Sequence, residues 1–119
     1  MPDNKHGKIC YVELPALDVS KSSAFYSALF GWKTRTRGDG SLAFDDTTGQ
    51  VSGTWATGRP SSGTPGILIY IMVDSVEKTL AGVTANGGEV AMPATEIGPM
   101  VIARFRDPGG NVLGLYQDK

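Results

Sequence analysis

The sequence predicts an α+β protein made of two βαβββ repeats, whose curved mixed sheets form a cup with the helices outside it. Two helix-like stretches are each preceded by one strand-like run and followed by three more. The same thirteen residues separate Asp18 from Gly31 and Asp74 from Gly87, a helix cap and a glycine stop in each half. Since the spacing and the element order agree, we interpret the chain as a duplicated unit.

The first repeat is predicted to span about residues 8–57. Residues 8–16, KICYVELPA, form a mostly apolar strand-like run, and Asp18 follows as a helix N-cap. Apolar residues at helical spacing then continue to Gly31, which ends the helix. Three short strands complete the unit: WKTRTRG at 32–38, SLAFDD at 41–46 and QVSGTWAT at 50–57.

The second repeat is predicted to span about residues 66–117, after a polar Gly/Pro/Ser connector at 58–65. GILIYIMV at 66–73 is its first strand, Asp74 or Ser75 caps the helix, and Asn86-Gly87-Gly88 ends it. Three strands follow: EVAMPATEI at 89–97, MVIARFRD at 100–107 and NVLGLYQ at 111–117. A chain of 119 residues suits one core, so residues 1–119 are interpreted as a single domain.

The hairpins that close the two repeats also match. DTTGQVSGTW, from Asp46, aligns with DPGGNVLGLY, from Asp107. This alignment makes Gly53 equivalent to Gly114. It also makes Trp55 equivalent to Tyr116.

Composition limits the classes of partner. Eleven Lys and Arg are balanced by twelve Asp and Glu without a basic run, so nucleic acid is not an expected partner. The longest apolar run, at 66–73, is far shorter than the roughly 20 residues that cross a bilayer, so no membrane partner is expected. The polar N-terminus carries no secretory pattern, and we therefore expect a cytoplasmic protein.

Alternation along the first strand predicts which side chains face the helix. Cys10, Val12 and Leu14 form an apolar set that should lie under the helices. Tyr11 and Glu13 alternate with that set and should line the cup. The single cysteine excludes an intrachain disulfide, and its apolar strand setting suggests a packed thiol.

Two stretches resemble a known superfamily. ELPALDVSKSSAFYSALFGW and FRDPGGNVLGLYQ are similar to the corresponding segments of vicinal oxygen chelate domains. That superfamily contains glyoxalase I, extradiol dioxygenases, fosfomycin-resistance enzymes and bleomycin-resistance proteins. The resemblance covers about residues 8–117 and implies the fold more strongly than the function, because fold and chemistry separate readily.

In metal-using members of that superfamily, the ligands come from the opening and closing strands of both repeats. The resemblance places those four positions at Tyr11, Gly53, Leu68 and Gly114. Glycine and leucine offer no side-chain donor, whereas a divalent metal needs several convergent His, carboxylate or thiolate groups. His6, the only histidine, lies in the polar tail before the first strand, so we expect neither metal nor cofactor.

The glycines suggest a binding site for a flat organic molecule. Gly53 and Gly114 would leave an open floor, and Trp55 and Tyr116 would provide aromatic walls two residues further on. Tyr11, Leu68 and Tyr70 would complete this site. The alternative is that the glycines allow the half-sheets to approach closely and that the aromatic residues belong to the core.

Glu13 is the charged residue of most interest because it is predicted to face the cup. It is a candidate general base or an anchor for a basic ligand, paired with a cation such as Arg104 or Arg106. The alternative is an ion-paired or hydrated carboxylate at the rim of the cup.

Three functions are therefore considered. The first is a metal-free glyoxalase/bleomycin-resistance-like protein that binds a small, aromatic organic molecule. The second is a lyase, isomerase or other enzyme of the glyoxalase/dioxygenase superfamily with Glu13 as its base, so whether the protein is an enzyme is left open. The third is an interaction protein whose cup is filled by its own side chains. A homodimer is expected for each, because exposed sheet edges and open cups are commonly covered by a second copy.

Overall fold

The structure, a computed structural model, describes residues 2–119 as two βαβββ repeats, which confirms the predicted α+β fold. The elements of the first repeat are β1 (Tyr11–Pro15), α1 (Val19–Phe30), β2 (Lys33–Thr36), β3 (Leu42–Asp45) and β4 (Ser52–Ala56). Those of the second are β5 (Tyr70–Met72), α2 (Val76–Ala85), β6 (Glu89–Ile97), β7 (Met100–Arg106) and β8 (Val112–Asp118).

Each repeat forms its own mixed sheet. The strand order is β1-β4-β3-β2 in sheet one and β5-β8-β7-β6 in sheet two. The opening and closing strands of each repeat are parallel, and the remaining neighbours are antiparallel. β1 and β5 therefore lie at sheet edges, each with one side unpaired in the sheet.

The helix boundaries follow from local chemistry. The carboxylate of Asp18 accepts a 3.2 Å hydrogen bond from the backbone N–H of Lys21, which satisfies one of the free donors at the start of α1. Gly31 ends that helix with a φ of 70°, a left-handed conformation that glycine adopts without strain. In α2 the cap is Ser75 rather than Asp74.

The predicted strand at 66–73 is much shorter in the structure, where only Tyr70–Met72 is extended and paired. The backbone N–H of Val112 donates to the carbonyl of Ser62 at 2.9 Å. The connector thus takes the hydrogen bond that would otherwise extend the β5–β8 ladder toward residue 67. Ile67 is 86% exposed as a result.

Both sheets turn their helix-facing sides toward one shared core. Leu14, Phe44 and Trp55 of sheet one belong to the same buried cluster as Phe105 and Leu115 of sheet two. Phe25 and Tyr26 of α1 and Val76, Leu80 and Val83 of α2 complete it. The opposite side of each sheet lies outside this core.

Two further expectations can be compared with the structure. Val12 and Leu14 contribute to the core, as alternation predicts, but Cys10 is exposed, so the predicted packed thiol is wrong. Cys10 precedes β1, so it lies outside the part of the strand whose alternate side chains join the core. Within residues 2–119, no helix is long and apolar enough to cross a membrane.

Candidate functional site

The sides of the sheets that face away from the core are defined by strand register. In sheet one, Tyr11 pairs with Ser52 and Glu13 with Thr54. In sheet two, Tyr70 pairs with Gly114 and Met72 with Tyr116. Because cross-strand partners share a side of the sheet, each set of four forms one surface, called here outer face one and outer face two.

The structure brings together most of the predicted site residues in two groups. Tyr11 and Glu13 lie on outer face one, and Tyr70, Gly114 and Tyr116 lie on outer face two. Leu68 is half-buried and precedes β5, so it lies outside the paired strand.

Gly53 and Trp55 do not join these groups. They pair with Val12 and Leu14 and face the core. Trp55 is only 4% exposed, and its ring centroid lies 4.8 Å from that of Phe44. Its indole N–H is buried without a hydrogen-bond partner among the described residues. Trp55 thus serves as core, as the alternative interpretation of the aromatic residues proposed.

The predicted equivalence of the two closing strands is wrong by one residue, and the turns explain why. The backbone N–H of Asp46 donates to the carbonyl of Val51, whereas that of Asp107 donates to Asn111. The first turn therefore contains one more residue. Since one residue reverses the sides of a strand, the position equivalent to Gly114 is Thr54 rather than Gly53.

Neither glycine leaves free space for a ligand next to its strand. A Cβ at Gly53 would overlap the carbonyl oxygen of Val12 and the ring of Phe44. A Cβ at Gly114 would lie 2.5 Å from two ring carbons of Tyr70. Neighbouring rings cover both glycines, an arrangement that stabilises glycine within sheets.

Outer face one is polar. Glu13 forms a 2.6 Å ion pair with Arg59 of the connector, not with the predicted Arg104 or Arg106. The guanidinium of Arg37 hydrogen-bonds the phenol of Tyr11 and lies 5.4 Å from its ring centroid, within cation–π range. This surface can therefore hydrogen-bond a polar ligand group and present an aromatic ring held by a cation.

Asp45 extends outer face one along β3. It accepts hydrogen bonds from Arg35 at 2.9 Å and from the Ser52 hydroxyl at 2.7 Å. These hydrogen bonds hold the pKa of the Asp45 carboxyl below its usual value, and the one from Arg35 has the larger effect. Asp45 is thus an ionised acceptor at neutral pH.

Outer face two is mainly apolar. Tyr70 is 41% exposed and Met72 is 61% exposed, and both lie beside the strand that carries Tyr116. Arg104, on the neighbouring strand β7, is the register partner of Gly114 and adds an exposed guanidinium to this face. The two outer faces thus differ in character, one charged and one aromatic.

The residues at the positions implied for a metal do not fit such an ion. Of those four positions only Tyr11 carries a donor atom, and Thr54, which the register places opposite Glu13, offers a neutral hydroxyl. Glu13 is held by Arg59, and no group of three His, Cys, Asp or Glu side chains converges within residues 2–119. The donor set therefore does not match divalent-metal chemistry.

Sequence reasoning did not identify several residues of these surfaces. Arg59 lies in a connector without periodicity, so nothing in its sequence context points to Glu13. Arg37 shares a strand side with Arg35, a spacing typical of solvent-facing arginines, so nothing in the sequence points to its contact with Tyr11. Thr54 had no signal in the sequence, because Asp46 and Gly53 are separated by as many residues as Asp107 and Gly114, and only the turn hydrogen bonds show that the first turn is longer.

Comparisons with known proteins agree with this fold. Residues 8–115 match the family model of the Glyoxalase/Bleomycin resistance protein/Dioxygenase superfamily. The chain is 32% identical to a glyoxylase-like domain-containing protein of Didymella fabae, over 89% of this chain and 90% of that protein. It is also 32% identical to CFP32 of Mycobacterium bovis, over 95% of this chain but only 46% of that longer protein.

Solved structures are similar over nearly the whole chain. TnmS3, an antibiotic binding protein from Streptomyces sp. CB03234, superposes with a TM-score of 0.70 at 24% identity, covering 95% of this chain and 97% of that one. A glyoxalase/bleomycin resistance protein/dioxygenase family enzyme from Burkholderia phytofirmans PsJN gives a TM-score of 0.72 at 20% identity, covering 92% and 97%. At these identities the likeness concerns the fold.

Proposed function

We propose that this chain, which belongs to the glyoxalase/bleomycin resistance protein/dioxygenase superfamily, binds a small aromatic molecule without a metal. The observation that carries this is the pair of outer faces, which combine exposed aromatic side chains with charged groups and lack a metal donor set. Binding pockets are mostly aromatic and apolar with a few polar anchors, and these surfaces together have that composition. TnmS3, which has a similar fold, is described as an antibiotic binding protein.

The binding cup is completed by a second copy of the chain. Within one chain the two helix-facing sides share a core, so the outer faces lie outside it. Tyr70, Met72 and Ile67 expose apolar surface next to the unpaired edge of β5, and such edges commonly pair with another chain. Outer face one of one copy would then lie opposite outer face two of the other, in a closed twofold arrangement.

A ligand screen tests the binding function. Purified protein is heated with a panel of aromatic and cationic metabolites, since a ligand that binds the native state raises the melting temperature. Tyr116→Ala should abolish the shift caused by a ligand of the cup, because it removes an aromatic ring from outer face two. Leu17→Ala is the control, since Leu17 is 77% exposed and lies on neither outer face. A shift that survives in Tyr116→Ala would place the ligand elsewhere.

Mixing two variants tests the shared cup. Tyr11→Ala damages outer face one and Tyr116→Ala damages outer face two, so each homodimer should lose binding at both cups. If the cup is built from two copies, refolding the variants together produces heterodimers with one intact cup, and part of the binding returns. If each chain builds its own cup, mixing restores nothing, and the shared arrangement is wrong.

The second candidate function is an enzyme that uses Glu13 as a base. Glu13 lies on outer face one, where a ligand would reach it. Its 2.6 Å ion pair with Arg59 favours an anchoring role, because the carboxylate is already held in place by a guanidinium that donates to it. Turnover of a bound ligand that is lost in Glu13→Gln, while binding is kept, would favour the enzyme.

A further inference from the structure

A cavity of about 260 Å³ lies between the two repeats, on the side of the sheets that faces the core. Its walls come from both halves of the chain: Val12, Trp32 and Phe44 from the first and Ile69, Ile71 and Leu113 from the second. Val12 and Phe44 lie on the opposite side of sheet one from Tyr11 and Glu13, so this cavity is separate from outer face one.

One wall of the cavity is aromatic. The rings of Trp32 and Phe44 are stacked, with centroids 4.6 Å apart and planes inclined by 15°. Apart from Tyr70 and Met72, the other lining side chains in the sheets are aliphatic, so the cavity suits an apolar aromatic ligand packed beside these rings. Exposed Tyr70 and Met72 also line it and mark where it opens to solvent.

Polar lining is confined to one end, at the turn that carries Asp46, Thr47 and Thr48. These side chains already have partners within the chain. Asp46 accepts hydrogen bonds from the N–H groups of Gln50 and Val51 and from the hydroxyl of Thr48, and the hydroxyl of Thr47 donates to the carbonyl of Phe30. The turn therefore supplies no cation, and its carboxylate opposes an anionic ligand.

We propose that this cavity is a second binding site, for a neutral aromatic molecule of about two fused rings. An apolar cavity of roughly 150 Å³ is known to bind benzene, and this cavity is larger by enough for one more ring. The site does not need the second copy of the chain. It shares only Tyr70 and Met72, at its mouth, with outer face two and nothing with outer face one.

The test uses 2-naphthol, which is neutral at neutral pH, and 2-naphthoate, which has the same rings and a negative charge. Titration calorimetry of the full chain should give saturable binding of 2-naphthol and binding of 2-naphthoate at least about tenfold weaker. Val51→Phe places a ring in the cavity, because Val51 lines it and is half-buried, and should weaken 2-naphthol binding by at least about tenfold. Val90→Phe, the same change at an exposed position of β6 that does not line the cavity, should leave the affinity unchanged.

Three outcomes would overturn the proposal. They are no binding of 2-naphthol to the unaltered chain, equal affinity in Val51→Phe, and loss of binding in Tyr116→Ala with retention in Val51→Phe. The last outcome would assign 2-naphthol to the outer faces. Ile71→Phe fills the cavity from the opposite repeat, so it replaces Val51→Phe if that variant does not fold.

Discussion

The phenol of Tyr26 in α1 donates a 2.8 Å hydrogen bond to the carboxylate of Asp107, which lies in the closing turn of the other repeat. Asp107 also accepts from the backbone N–H groups of Gly109 and Asn111, each at 2.9 Å. The side-chain amide of Asn111 in turn donates to the carbonyl of Pro15 at 2.7 Å. This buried network joins α1, the end of β1 and the second closing turn, and so fixes how the repeats pack together.

Tyr26→Phe should destabilise the protein by about 1.5–3 kcal/mol, because it removes a buried hydrogen bond to a charged group. Chemical denaturation measures the change. Tyr116→Phe removes a half-exposed phenol and should change the free energy of unfolding by less than about 0.5 kcal/mol. Equal effects of the two substitutions would contradict a structural role for the Tyr26–Asp107 bond.

Stability should decrease at alkaline pH. Burial, together with the charge and hydrogen bond of Asp107, raises the pKa of Tyr26 well above its ordinary value of 10.0. Above that ordinary value the unfolded chain loses the phenol proton while the folded chain keeps it, so the free energy of unfolding falls as pH rises. Below it, this contribution is fully present. Denaturation curves of Tyr26→Phe should depend less on pH in the alkaline range, and an unchanged pH dependence would contradict this assignment.

Alanine at the two strand glycines should have unequal effects. Gly53→Ala should cost at least about 2–3 kcal/mol, because its Cβ would overlap the backbone oxygen of Val12, which cannot move without distorting β1. Gly114→Ala should cost less than about 1 kcal/mol, because the obstructing group is the half-exposed ring of Tyr70, which can rotate away. Thermal denaturation compares the two, and a greater loss in Gly114→Ala would mean that the side assignment of the strands is wrong.

Alanine substitutions of the aromatic residues that follow those glycines should also differ in their effect on stability. Trp55→Ala should destabilise the protein by about 3–5 kcal/mol, because Trp55 is buried between Phe44 and the helix. Tyr116→Ala should cost much less, since Tyr116 is only half-buried on outer face two. Similar losses in the two variants, measured by denaturation, would contradict the difference in register between the closing strands.

Local sequence was sufficient for the elements and their order. Asp18 and Gly31 bound α1 because a capping carboxylate and a left-handed glycine act within a few residues of their own position. The alternation of Tyr11 and Val12 likewise depends only on strand geometry, so it correctly separated the core side of β1 from its outer side.

Tertiary structure decided which side chains meet. The turn at Asp46 contains one additional residue, so Gly53 and Trp55 lie on the opposite side of their strand from the side that Gly114 and Tyr116 occupy in theirs. Matching the two sequences cannot detect this difference between the turns. The rings of Phe44 and Tyr70 over the glycines, the ion pair of Glu13 with Arg59 and the shared core of the two repeats are long-range contacts. Such contacts depend on how whole sheets pack, and packing is settled by the summed burial of both repeats rather than by any local segment.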